Sequence, residues 1–92
     1  MLTFEWDDGK DRQNQAKHGL GFEEAKAVFS DRFVLEFFDD RFEYGEERVL
    51  SIGLAGEKLL AVVNTQRREN CRIISVRRAT RQETDGYFKN RG

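Results

Sequence analysis

The sequence predicts an α+β domain: an antiparallel sheet of about four strands with two N-terminal helices and a C-terminal helix. Three observations carry that expectation. Segments of helical spacing flank a run of alternating, β-prone segments. The 92 residues have room for one domain over residues 1–92 and no second. Hydrophobic residues reach only 38% against 36% charged, yet eight Phe, two Tyr and one Trp concentrate the apolar area in large side chains, a load that disordered chains lack.

The elements follow in order. In Thr3 to Trp6, Phe4 and Trp6 alternate with Thr3 and Glu5, as in a half-buried strand. Asp8 is placed to N-cap a nearly all-polar helix that runs to His18, where Lys17 and His18 complement the dipole and Gly19 supplies a left-handed C-cap. Phe22, Ala25, Val28 and Phe29 give a second, amphipathic helix whose apolar face should sit on a sheet. Val34 to Phe38 reads as a strand, and the charged run Asp39 to Glu47 as a loop. Arg48 to Leu54, Lys58 to Thr65 and Cys71 to Arg78 read as a meander, joined by a Gly-containing turn at Ala55 to Glu57 and a polar loop at Gln66 to Asn70. Thr80 and Glu83 form a T-x-x-E capping box that opens a last helix holding Tyr87 and Phe88.

Composition excludes several classes of function. A lone Cys71 forbids an internal disulfide, and with a single His18 it cannot build a Cys/His zinc site, so a reducing, cytoplasmic compartment is expected. No apolar run is long enough to span a membrane, and the N-terminus is acidic where a secretory signal is basic and then apolar. Phosphate-binding glycine loops and the G-x-S-x-G elbow are missing. The acid pairs Asp7/Asp8, Asp39/Asp40 and Glu46/Glu47 read as solvated loops, so neither a metal nor a cofactor is expected.

Charge is more informative by position than in sum. Residues 1–66 carry eight Lys/Arg and fourteen Asp/Glu, a balance of −6, whereas residues 67–92 carry eight and three, a balance of +5. A basic segment on an acidic body suits contact with a polyanion, or simply solvates an exposed face. By strand alternation Thr65 and Arg67 share one parity, as do Ser75 and Arg77, with Arg72 and Arg78 on the opposite face. If the odd positions face one way, hydroxyls and guanidiniums gather where the strands meet, a chemistry suited to phosphate. The alternative is that Arg67 is solvated and Arg77 pairs with one of the many acids. His18 is either a proton-transfer group, since histidine titrates near neutrality, or a helix-end cation. Only its placement beside the Arg cluster separates the two.

Several short motifs then occur in order: F-E-W-D from Phe4, N-x-x-K-H-G at Asn14 to Gly19, F-E-E-A at Phe22 to Ala25, V-F at Val28 and Phe29, G-E-E-R at Gly45 to Arg48, and R-I-I-S-x-R at Arg72 to Arg77. Together they resemble the BrnT family of bacterial ribonuclease toxins in type II toxin-antitoxin systems, over nearly the whole chain from Phe4 to about Tyr87. The resemblance implies a RelE-like fold, an endoribonuclease that cleaves RNA and inhibits translation, and a BrnA-like antitoxin, through which operator DNA is bound, in a heterotetramer. It marks Lys17, His18, Arg48, Thr65, Arg67, Ser75 and Arg77 as functional positions. Metal-free cleavage would set Arg67 and Arg77 on phosphate and transition-state charge, and His18 or Lys17 on proton transfer, leaving Arg48, Thr65 and Ser75 to bind RNA. Two other classes use the same residues: a non-catalytic nucleic-acid-binding module on the Arg face, and a protein-interaction module on an aromatic patch of Phe37, Phe38, Phe42 and Tyr44.

Overall fold

A computed structural model describes residues 2–43 and 46–91, the side chains of 39–43 and 46 excepted. Strand β1 (Thr3–Glu5) leads into helix α1 (Asp8–His18), then α2 (Phe22–Ala25), which continues as a 3₁₀ segment, Lys26–Ser30. Strands β2 (Leu35–Glu43), β3 (Glu46–Ala55), β4 (Lys58–Arg67) and β5 (Asn70–Arg78) follow, and α3 (Arg81–Arg91) closes the chain. The sheet has five strands in the order β1-β5-β4-β3-β2, rather than about four. The fifth is β1, which pairs parallel with β5, Phe4 opposite Cys71, while every other pairing is antiparallel. The α+β expectation holds.

Helix α1 is capped one residue earlier than expected, at Asp7. Asp7 accepts from the Gly9 and Lys10 N–H groups at 2.7 and 3.2 Å, and the Lys10 bond, then the Gly9 bond, holds its carboxyl below the usual range. Gly19 ends the helix at φ 70°, left-handed as expected. So polar a helix needs an anchor, and Asn14, its one buried residue, is that anchor. The Asn14 amide donates to the Val76 and Leu20 carbonyls at 2.9 and 2.8 Å and accepts from the Val76 N–H at 3.0 Å. β1 pairs with β5 only as far as Arg72, so Asn14 supplies the edge bonds that a longer β1 would have made. Asp31 does the same on β3: β2 begins at Leu35 opposite Ile52, and the Leu54 N–H beyond it donates to Asp31 Oδ2 at 2.8 Å.

Two apolar layers enclose the sheet. On one face Leu20, Phe22, Ala25 and Val28 pack on Leu60, Val62, Ile73 and Val76, with Trp6 edge-on to Phe22. On the other, Tyr87 of α3 packs on Ile52 and Ala61, and its hydroxyl makes a short hydrogen bond to Asp31. Burial first, then that bond, pushes the Tyr87 hydroxyl up to about 12. Burial works to raise the Asp31 carboxyl, but bonds from Tyr87, Leu54 and Phe33 outweigh it and hold it low. Gly53 allows the close approach here: a Cβ on it would lie 3.1 Å from both Val28 Cγ1 and the Val28 carbonyl.

The charged run Asp39 to Glu47, expected as a loop, lies largely in β2 and β3, because strand pairing is carried by the backbone and needs no apolar face once it projects past the core. Tyr44 and Gly45 lie outside the described residues. The expected loop Gln66 to Asn70 shrinks to a turn at Arg68 and Glu69, with Arg68 left-handed at φ 54°. Among the described residues no helix is long and apolar enough to cross a membrane.

Candidate functional site

A bulge in β5 decides which side chains meet. Val63 opposes Ser75 but Asn64 opposes Ile73, so Ile74 is an extra residue and the alternation reverses there. Arg72, expected on the opposite face, therefore opposes Thr65 and joins the α3 face with Ser75 and Arg77. Asn64 braces the bulge from the other side: fully buried, it donates to the Val49 and Val62 carbonyls and to Ser51 Oγ, and accepts from Gln66 and Cys71. Burial, then the nearby Glu36 charge, pushes the Cys71 thiol up to about 11, so it is inert packing.

The sheet does not gather all the expected residues in one cluster. Arg67 opposes Asn70 beside the turn, whereas Arg77 opposes Ala61 at the far end of the hairpin. Six residues of strand separate them, roughly 20 Å at ~3.3 Å per residue. Shared parity placed them on one face and could not place them side by side, since antiparallel strands diverge in numbering away from their turn. Thr65 lies between them at 5% exposure, beneath the surface that a ligand could touch.

Two pockets hold the rest. One, of about 250 Å³, is lined by Arg48, Val49, Leu50, Val63 and Arg77. The second, of about 260 Å³, lies where α1 meets the β5 edge and is lined by Lys10, Gln13, Asn14, Lys17, His18, Ile74 and Ser75. Ser75 in the second stands in register with Val63 in the first, so the two adjoin across one strand spacing. His18 and Lys17 thus approach the Arg face through Ser75, and Lys10 and Gln13, which the sequence did not mark, join them.

Arg77 is held firmly. Its Nη1 and Nη2 donate to Oε1 and Oε2 of Glu83 at 2.7 and 3.0 Å, and Nη1 also donates to the Arg78 carbonyl at 3.3 Å. The Arg77 hydrogen bond first, then the Thr80 N–H, brings the Glu83 carboxyl down to about 2 against burial, and Glu83 in turn raises the Arg77 guanidinium. The expected capping box is present in the same group: Thr80 N–H donates to Glu83 and Glu83 N–H to Thr80 Oγ1. A guanidinium has five N–H groups. Three are taken, and the Nε–H and the second Nη2–H, side by side on one edge, have no partner among the described residues. Such an edge has the geometry to pair with two oxygens of one phosphate, and Arg48 lines the same pocket as Arg77. Arg72 is partly neutralised by Glu5 at 3.9 Å.

The structure describes half of the expected aromatic patch. Phe37 and Phe38, 53% and 63% exposed, point to opposite faces of β2, and Tyr44 and the Phe42 side chain lie outside the described residues. Among the described residues no group of three or more His, Cys, Asp or Glu is arranged to hold a metal.

A family described as the ribonuclease toxin, BrnT, of type II toxin-antitoxin systems matches residues 6–83 of the chain. The chain belongs to this family. The matched stretch contains every residue of both pockets and ends on Glu83, the partner of Arg77. Membership makes the chain a toxin of the ribonuclease class whose counterpart is an antitoxin protein. No curated protein matches it.

Proposed function

We propose that the chain is a metal-independent endoribonuclease that binds single-stranded RNA along the α3 face of the sheet, cleaves it at Arg77 and thereby stops translation. The observation that carries this is the Arg77 guanidinium, clamped by Glu83 through one edge and lining a pocket together with Arg48. Cleavage is an internal transfer: the ribose 2′-oxygen bonds to the adjacent phosphorus, the P–O5′ bond breaks, the 2′-hydroxyl proton goes to a base, and an acid protonates the departing 5′-oxygen. The products are a 2′,3′-cyclic phosphate and a 5′-hydroxyl.

Arg77 supplies charge where the phosphorane gains it, and Glu83 holds it there in advance, so no reorganisation is needed when the charge develops. Arg48 binds a neighbouring phosphate oxygen, and His18 or Lys17 moves the proton from the adjoining pocket past Ser75. Arg67, far along the face, meets a different phosphate of the same strand and adds affinity. A BrnA-like antitoxin binds the toxin in a heterotetramer, and operator DNA is bound through that antitoxin.

The test is incubation of the purified chain with bulk RNA in EDTA, alongside Arg77→Ala matched for fold by circular dichroism, with cell-free translation in parallel. Wild-type cleavage in EDTA, with the variant slower by ~100-fold, is expected from loss of one preorganised donor. A folded Arg77→Ala protein that cleaves at the wild-type rate overturns the assignment.

A further inference from the structure

We propose that the groove between α3 and the β2–β3 end of the sheet is a nucleobase subsite, in which Phe37 stacks on an unstacked base of the RNA whose phosphate lies at Arg77; this rests on the ribonuclease reading above. The groove measures about 530 Å³, inside the ~300 to 1,000 Å³ range of small-molecule sites. Leu35, Leu50 and Ile52 make its floor, Phe37 one wall, and Gln82 and Asn90 of α3 the opposite rim. A Cβ built on Gly86 meets nothing within 4 Å, so the helix stands clear of the sheet here.

The groove continues into the phosphate pocket. Leu50 lines both, and Glu83 lines the groove while it clamps Arg77. Phe37, Leu50, Val63 and Ser75 follow one another across four strands in register, which sets Phe37 roughly 10 Å from Val63 at ~4.8 Å per strand. A half-exposed Phe on the same sheet face as a guanidinium suits single-stranded RNA, whose bases stack on aromatic rings while its phosphates meet cations. The rim chooses a base over an apolar protein side chain. Asn90 donates one amide N–H to the Gly86 carbonyl, and among the described residues its Oδ1 and second N–H have no partner. An apolar occupant would bury the Gln82 and Asn90 amides without partners, whereas a base edge satisfies them.

The test compares wild type, Phe37→Ala and Phe37→Trp on a short synthetic RNA and on the same RNA with an abasic residue beside the cleaved phosphate. Cleavage is followed on the all-ribose strand, and binding on a strand carrying a 2′-deoxy residue at the cleaved position. Phe37→Ala is expected to raise KM and Kd about 5- to 100-fold, the range for loss of one stacked base, with kcat nearly unchanged. Phe37→Trp restores binding, and the abasic RNA brings wild type down to the level of Phe37→Ala. Equal Kd values for wild type and Phe37→Ala overturn the proposal, as does a loss that is the same on intact and abasic RNA. Unchanged RNA handling with weakened antitoxin binding assigns the groove to the protein partner and also overturns it. If Arg77→Ala cleaves normally as well, the ribonuclease reading itself falls, a result separate from failure at Phe37 alone.

Discussion

Replacing Glu83 by Gln keeps the side chain's shape and one capping bond to the Thr80 N–H, since Gln serves in a capping box, but removes the charge opposite Arg77. Glu83 titrates at about 2 in place of its ordinary 4.5, a preference worth ~3 kcal/mol at ~1.4 kcal/mol per tenfold in proton affinity. Arg77 is 37% exposed against 18% for Glu83, so solvent screening reduces the net loss to about 1 to 2 kcal/mol. For a domain of this size that lowers Tm by ~5 to 15 °C. Because the folded-state pKa lies below the unfolded one, the stabilisation is complete above about 4.5 and is lost as pH falls through about 2. Thermal melts of wild type and Glu83→Gln at several pH values should therefore differ fully at pH 7 and converge towards pH 2. RNA cleavage at pH 7 should fall by about tenfold as the Arg77 fork loses its brace. Equal melting at pH 7, or a gap that persists at pH 2, refutes the energetic argument. Faster cleavage by the variant refutes the functional one, for Glu83 would then be competing with phosphate.

Three further substitutions probe separate links. Asn14→Ala removes three hydrogen bonds and strands the buried Val76 edge groups, so urea unfolding should show a loss of ~2 to 4 kcal/mol, with cleavage impaired because α1 carries Lys17 and His18; a loss below ~0.5 kcal/mol contradicts the anchoring role. Gly53→Ala forces a Cβ to 3.1 Å from Val28 and should cost ~1 to 3 kcal/mol by overpacking, unless the 3₁₀ segment yields, in which case denaturation is unchanged. His18→Gln should slow cleavage by ~100-fold at nearly constant Tm if the imidazole moves a proton; normal cleavage with a lowered Tm would confine His18 to its helix end.

Much of the fold is legible in local chemistry. Gly19 after Lys17-His18 and the Thr80/Glu83 box mark helix ends that the structure places at those residues, give or take the single-residue shift from Asp8 to Asp7. The functional face is legible only in part. Ser75 and Arg77 do share a face, and Arg77 does pair with an acid, but the same acid orients a guanidinium edge that remains open. The Arg77–Glu83 spacing crosses a strand-to-helix turn, so no helical or strand period points to it. The expected assembly of Arg67 with Arg77 fails because parity says which face a residue takes and nothing about its position along the hairpin.

Side-chain spacing, caps and turn glycines act over a few residues, so the chain's own chemistry settles which segments coil, which extend and which residues carry charge. Register is different in kind. The Ile74 bulge that brings Arg72 onto the α3 face, the parallel addition of β1, and the two edges completed by Asn14 and Asp31 depend on groups 9 to 67 residues apart. Each arises only when strands pair and leave an N–H or carbonyl that must find a partner out of water, and that requirement of the assembled sheet sets Arg77, Arg48 and the α1 pocket side by side.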